Sequence, residues 1–153
     1  MTPAVVRYIG DGVAWTDARV HQVAASNREH WRAHGFGWRV ASLAPDSRPI
    51  GFIALNFAGA GSGVAADEYE IGWWLAPSAW GQGLAREGAA AVRDEAFTRL
   101  RAPSIVARVQ PANDASLAVA RAIGLTHESD STGRGGETIA VLRLRAADWT
   151  AAG

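Results

Sequence analysis

The chain has 153 residues, 48% of them hydrophobic and 20% charged, which suits one folded domain over residues 1–153 and is too apolar for a disordered chain. Fifteen basic residues cancel fifteen acidic ones, so no net field draws in nucleic acid or an anionic membrane, and partner recognition must be local. Every basic residue is arginine and there is no cysteine, which excludes a Walker lysine, a lysine Schiff base, a disulfide framework, a thiolate metal site and a cysteine nucleophile; with no apolar leader or 18-residue apolar run, a cytoplasmic protein is expected.

Val5 to Ile9 is a short apolar run that stops at Gly10-Asp11-Gly12 and reads as a loop or strand stub. From Thr16 to His34, Val20, Val23, Ala24 and Trp31 recur at helical spacing, with Thr16 as N-cap and Gly35 as stop. Trp38 to Leu43, the turn Ala44-Pro45-Asp46-Ser47 and Ile50 to Phe57 predict an antiparallel hairpin. After the Gly59 to Gly63 loop, Glu68 to Ala76 adds a third strand with an aromatic pair. The next helix carries Ala85, Ala89, Val92, Ala96 and Leu100 on one face and Arg86, Arg93 and Asp94 on the other. Ile105 to Val109 is a short apolar strand, and two strands bracketing a helix imply a right-handed crossover in a partly parallel sheet. Asn113 caps a helix to Ile123, stopped by Gly124. A polar loop from Asp130 to Gly136 leads to a last strand, Thr138 to Leu144, and Trp149 packs the tail.

The segment richest in chemistry is "YEIGWWLAPSAWGQGLAREG", Tyr69 to Gly88, where a strand passes through a glycine turn into a helix. Amides from Gly81 to Ala85 lack intrahelical acceptors and sit at the positive end of a helix dipole, and glycines let a phosphate approach. A dinucleotide GxGxxG motif would need a third glycine where this chain has Arg86. The plainer alternative is that Gly81 and Gly83 only shape a turn.

A second segment, "VQPANDASLAVARAIGL", stands downstream. Strand, Gly-Gln-Gly-Leu-Ala turn, helix, strand, Asn-Asp-Ala-Ser helix and a closing Ile123-Gly124-Leu125 together resemble the GCN5-related N-acetyltransferases (GNAT), over Val5 to Trp149. "WGQGLA" is similar to their ribosomal-protein N-terminal acetyltransferase branch. The family's phosphate motif, Gln/Arg-x-x-Gly-x-Gly/Ala, is matched by Trp80, Gly81, Gln82, Gly83, Leu84 and Ala85, with Trp80 departing from the general pattern but suiting the branch.

The resemblance implies an α+β fold: a mixed, mostly antiparallel sheet with a splayed parallel strand pair and flanking helices. It implies acetyl-CoA as co-substrate, with the pantetheine arm paired between Glu68 to Ala76 and Ile105 to Val109 like an added strand. Trp74, Leu75 and Ala76 then meet the arm, and the Leu75 N–H stabilises the developing oxyanion. Asn113 reaches the cofactor, with a plain N-cap as the alternative. Ser116 lies near the thioester sulfur and protonates the leaving thiolate, with an ordinary first-turn serine as the alternative. No metal is implied.

The acceptor must present a neutral amine. A lysine-like amine titrates near ~10.4 and a peptide α-amine near ~7.7 to 8.0, a difference of roughly 3 to 4 kcal/mol of deprotonation near neutrality, which favours the α-amine, with a small-molecule amine next. Glu68 and Glu70 share a strand face with Gly72 and Trp74 and either offers a proton relay; Glu70 is the candidate base, and solvent-facing carboxylates are the alternative. His30 and His34 stand at metal-helix spacing without a third ligand, so a polar helix face is expected. Trp73 and Trp74 point to opposite sheet faces, and Trp31, Trp38 and Trp80 are candidates for a cleft wall or a dimer contact. The branch carries a strand and a helix ahead of the segment matched by "VVRYIGDG", where this chain has only Met1 to Ala4. Either the reading frame starts late, or the first edge strand is lacking and the hairpin beginning at Trp38 has an open edge that invites a homodimer. A non-catalytic acyl-CoA-binding module on the same fold is the alternative to an enzyme, and a nucleotide-binding protein a more distant one.

Overall fold

The computed structural model describes residues 3–44 and 46–150. Pro45, in the expected 44–47 turn, and Met1 and Thr2, ahead of the first expected segment, lie outside the described residues. The elements in chain order are α1 (Pro3–Val6), α2 (Asp17–His34), β1 (Arg39–Leu43), β2 (Arg48–Phe57), β3 (Tyr69–Leu75), α3 (Leu84–Thr98), β4 (Ser104–Val109), α4 (Asp114–Ala122), β5 (Thr126–Thr132) and β6 (Thr138–Arg145), with short 3-10 turns at Pro77–Ala79 and Ala146–Asp148. One six-stranded sheet runs in the order β1-β2-β3-β4-β6-β5. Its pairs are antiparallel except β3 with β4, which is parallel. This is the expected mixed α+β architecture, with β1 at one edge of the sheet.

Alternation along the strands sorts the two faces. Ile53, Leu55, Ile71, Leu75, Ile105, Ala107, Leu142 and Leu144 form the core together with Ala89, Val92, Ala96 and Phe97 of α3 and Leu117 and Ala120 of α4. Alanine at the contact positions of α3 and α4 lets both helices lie close to the sheet. Trp149 stacks on Phe97 at 5.2 Å, and its indole N–H reaches Asp94 Oδ1 at 3.0 Å, which fastens the tail as expected. Glu70 and Trp74 occupy the opposite face, where Val106, Ile139 and Val141 pack with Val64 in a smaller cluster.

Two expectations need correction. Val5 to Ile9 is no strand stub: Pro3–Val6 is one helical turn, continued by the turn bonds Arg7 N–H to Pro3 O and Ile9 N–H to Val6 O. Three of the seven residues of the expected 130–136 loop, Asp130 to Thr132, are strand. In β5 every residue but Ser131 is exposed, so no hydrophobic alternation marks it, and its place rests on the main-chain ladder to β6. Helix α2 has the expected caps, with the Thr16 hydroxyl accepting from Arg19 N–H and Gly35 left-handed at φ 72°, yet none of its residues is buried and Val20 is 46% exposed. It is held by the packing of His30 and His34 on Phe36 and Phe57 and by polar clamps. Asn27 bonds both the N–H and the C=O of Trp38, and the Trp31 indole donates to the same carbonyl.

Candidate active site

The ladder between β2 and β3 fixes which peptide groups remain for other partners. Ala58 N–H donates to Glu68 O at one end and Ala76 N–H to Ile50 O, at 2.7 Å, at the other. Even-numbered residues of β3 therefore exchange main-chain bonds with β2, and odd-numbered residues turn theirs toward β4. Yet β3 and β4 are in register only at Tyr69↔Ile105 and Glu70↔Val106. Beyond that point the strands part, and the peptide groups of Trp73 and Leu75 face an open gap. The Leu75 carbonyl is taken by the Trp80 indole N–H at 2.8 Å, which leaves the Leu75 N–H directed into the gap. A cavity of about 530 Å³ occupies this space.

At one end of the cavity stands the glycine turn. Gly81 and Gly83 have φ of 70° and 76°, the left-handed region that favours glycine. A Cβ added to either would meet no heavy atom within 4 Å, so these glycines serve the turn and the open space above it rather than internal packing. Gly83 caps α3 without a side-chain bond, and Glu87 N–H is the first to find a helical acceptor, Gly83 O at 3.0 Å. Among the described residues, the amides from Gly81 to Arg86 have no main-chain acceptor. Bare amides at a helix start, open space and the exposed Arg86 guanidinium suit a diphosphate, and the free peptide edges of the gap suit an amide-bearing arm.

The cavity brings together Glu70, Trp74, Leu75, Trp80, Gly81, Gly83, Leu84, Ala85, Asn113 and Ser116. Ala76 and Gln82 do not line it. The Ala76 N–H is committed to Ile50, and the Gln82 amide turns back to Ser78 O at 2.8 Å. Trp74 has its main chain committed to β2, so it meets a ligand only through its indole, which lies over Gly72 and stacks on Trp38 at 4.6 Å. Asn113 caps α4, its Oδ1 accepting from Ser116 N–H at 3.1 Å. That leaves the Asn113 Nδ2 donors for a ligand, so capping and ligand contact are compatible in one side chain.

The two candidate carboxylates are both paired. Arg108 makes a two-pronged bond to Glu70, Nε to Oε1 at 2.9 Å and Nη2 to Oε2 at 3.1 Å, while its Nη1 reaches Ser62 O. Burial pushes the Glu70 carboxyl above the usual carboxylate range, and the Arg108 guanidinium opposes that rise. Glu68 is held by Arg143 through one nitrogen, Nη2, shared between its two oxygens at 3.0 and 2.9 Å, and does not line the cavity. Neither carboxylate is the solvent-facing group of the alternative reading.

Sequence reasoning missed several lining residues. Arg108 and Gln110 come from the end of β4, and Ala4, Val5, Tyr8 and Ile9 come from α1 and the turn after it. Gln110 Nε2 donates to Gly10 O across 100 positions of chain, so no local pattern signals the contact. The expected tryptophan wall is split. Trp73, Trp74 and Trp80 line the cavity, Trp38 backs Trp74, and Trp31 lies away from it beneath the Arg39 guanidinium. His30 and His34 pack with Phe36 and Phe57 in an aromatic cluster, where burial first and then His34 hold His30 below its ordinary value. Among the described residues no three metal-ligating side chains stand together, and no helix is long and apolar enough to cross a membrane.

A sequence profile described as the acetyltransferase (GNAT) domain matches residues 1–126. Among solved structures, an acetyltransferase from Agrobacterium tumefaciens is 29% identical and superposes with a TM-score of 0.76 over 94% of this chain and 82% of that one. Ribosomal-protein-S5-alanine acetyltransferase from Vibrio fischeri is 19% identical, with a TM-score of 0.64 over 87% and 72% of the chains. Spermidine N-acetyltransferase from Vibrio cholerae, solved with CoA and spermine, is 16% identical, with a TM-score of 0.73 over 96% and 85%. These last two share the fold with this chain, and together they leave the branch of the family open. The FsC-acetyl coenzyme A-N(2)-transacetylase of Aspergillus fumigatus is 39% identical over 61 residues, 40% of this chain and 26% of that protein. The chain therefore matches about a quarter of that curated relative's length.

Proposed function

Since the chain belongs to the acetyltransferase (GNAT) domain family, we propose that it acetylates a primary amine by direct attack within a ternary complex, with a peptide α-amine favoured and a small-molecule amine next. The observation that carries this reading is the open β3/β4 gap with bare amides at its end. Acetyl-CoA, when bound, supplies an activated thioester carbonyl as acyl donor. The amides from Gly81 to Arg86 hold its diphosphate, with Trp80, Leu84 and Ala85 flanking the turn and Gln82 shaping it through Ser78. The main chain of Leu75 and the Asn113 amide orient its arm, and the Leu75 N–H faces the carbonyl oxygen as charge grows there. The Ser116 hydroxyl donates a proton toward the departing sulfur. Glu70, raised by burial and set in the cavity wall, takes the acceptor's proton through water. A chain without cysteine, with no base in contact with the Ser116 hydroxyl among the described residues, supports direct attack over an acyl-enzyme.

The test is thiol release from acetyl-CoA with a panel of primary amines. Saturable release with at least one amine is expected. Saturable CoA binding with no turnover for any amine would favour the non-catalytic module.

A further inference from the structure

Every nitrogen of the Arg108 guanidinium is committed, and in two directions. Nε and Nη2 span the Glu70 carboxylate at 2.9 and 3.1 Å, while Nη1 donates to Ser62 O at 3.0 Å. The Arg108 and Glu70 side chains are only 12% and 17% exposed. Ser62 is itself buried, in the loop between β2 and β3. That loop is pinned in turn from the β5 end of the sheet: Ser131 Oγ donates to Gly63 O at 3.1 Å, and Arg134 donates to Ala60 O at 3.2 Å and to Ala58 O. The guanidinium is therefore anchored from behind as well as in front. A fork that grips both oxygens fixes the plane of the carboxylate, which a single bond would leave free to turn about its last, broad torsion. An ionised carboxylate offers about four acceptor sites, so the fork leaves some of them free on a group that lines the cavity.

From this clamp we propose that Arg108 is a positioning residue for acetyl transfer: anchored on Ser62 O, it holds the Glu70 carboxylate in the orientation from which it takes the acceptor's proton. The inference rests on the reading of Glu70 as base given above and deepens it. Charge balance alone asks for a cation nearby; it does not ask for a fork with a second anchor. Arg108 also keeps the base ready, because burial works against the ionised form and the guanidinium opposes burial. Arg134, from the turn between β5 and β6, helps at longer range, and Asn56, the cross-strand partner of Glu70, adds a polar side chain. Glu68, two places along the same face, is balanced by its own Arg143, and Tyr8 lines the same cavity. The transferred proton passes from the acceptor nitrogen through water to a Glu70 oxygen and returns to solvent before the next turnover. Arg108 keeps its own protons throughout.

The experiment uses the whole protein with acetyl-CoA and the amine of the panel above that it turns over fastest, and compares Arg108→Lys, Arg108→Gln and Glu70→Gln with the wild type. The infrared band of the protonated carboxyl that Glu70→Gln lacks follows the Glu70 proton directly, whatever the amine does. Arg108→Lys keeps the charge and loses the fork. Its Glu70 should titrate within about one pH unit of the wild type, while kcat falls about 10- to 100-fold and circular dichroism is unchanged. Arg108→Gln loses both charge and fork, so the carboxyl should titrate about one pH unit or more higher, with part of the lost rate recovered at alkaline pH. Wild-type kcat in Arg108→Lys, or failure of both Arg108 variants to fold, overturns the inference and leaves Glu70 as base. A rate loss in Arg108→Lys that alkaline pH restores in full reduces Arg108 to a counter-charge and overturns it as well. Wild-type kcat in Glu70→Gln removes the base and the inference with it while leaving acetyl transfer in place. No turnover with any amine, despite CoA binding, overturns acetyl transfer itself.

Discussion

Replacing Gly83 by leucine separates the two things a glycine can do at this turn. The residue is left-handed at φ 76°, and its added Cβ would meet nothing within 4 Å. In the free protein the variant therefore carries the conformational cost alone, about 1 to 2 kcal/mol, or a fall in Tm of roughly 2 to 8 °C for a domain of this size. With a diphosphate drawn onto the bare amides the same side chain fills the space the phosphate needs. Losing one charge-assisted hydrogen bond removes about 1.5 to 3 kcal/mol, which raises the acetyl-CoA KM about 10- to 100-fold. Steady-state kinetics with acetyl-CoA varied at saturating amine, run beside a thermal melt, measure both effects. A lowered Tm with KM unchanged within twofold would mean that the turn is architectural and holds no phosphate.

Other substitutions test the remaining parts. Asn113→Asp keeps the oxygen that caps α4 and loses the amide donors, so Tm should hold while the acetyl-CoA KM rises about tenfold; an unmoved KM with Tm held would make the residue a cap only. Trp80→Phe removes the indole bond to the Leu75 carbonyl and should raise KM about fivefold, the worth of one neutral hydrogen bond, and an unaltered KM would leave Trp80 without a part in holding the gap open. Arg108→Leu leaves Glu70 buried without its partner and should cost about 3 to 5 kcal/mol in urea denaturation, most of it recovered when Glu70→Leu is added; a loss under 1 kcal/mol would contradict the pairing. Burial raises the Glu70 pKa in the fold, so the unfolded chain releases that proton first. Stability must then fall as pH climbs from about 4.3 through the raised value. Glu70→Gln should lack that slope and flatten the acid limb of the pH–rate profile, and a wild-type stability that rises over the window would mean that Arg108 outweighs burial.

What could be read from the chain alone was what depends on neighbouring residues. The strand-turn-helix from Tyr69 to Thr98 and the capped helix from Asn113 to Gly124 carry their own signals, namely apolar alternation, glycines at left-handed positions and side-chain caps. The splayed gap followed from the family resemblance, and the strand pairing bears it out. Missed features were those set by distant partners. The polar strand β5 is held by its main-chain ladder to β6, so its side chains are free to be hydrophilic on both faces. The α1 turn is too short for periodicity to register, and the segment that follows it is tied to the end of β4 by the bond from Gln110 to Gly10 O. Glu70 was identifiable as a carboxylate on the central strand, but its Arg108 partner stands 38 positions away. That partner changes the residue from a lone acid into half of a fixed pair.

The most direct measurement is a crystal structure with coenzyme A. The account predicts diphosphate oxygens within hydrogen-bond distance of the amides between Gly81 and Arg86, and the pantetheine arm lying between Trp73 and Leu75 on one side and Arg108 and Gln110 on the other. A coenzyme seated elsewhere, or a gap closed by continuous pairing of β3 with β4, would contradict it.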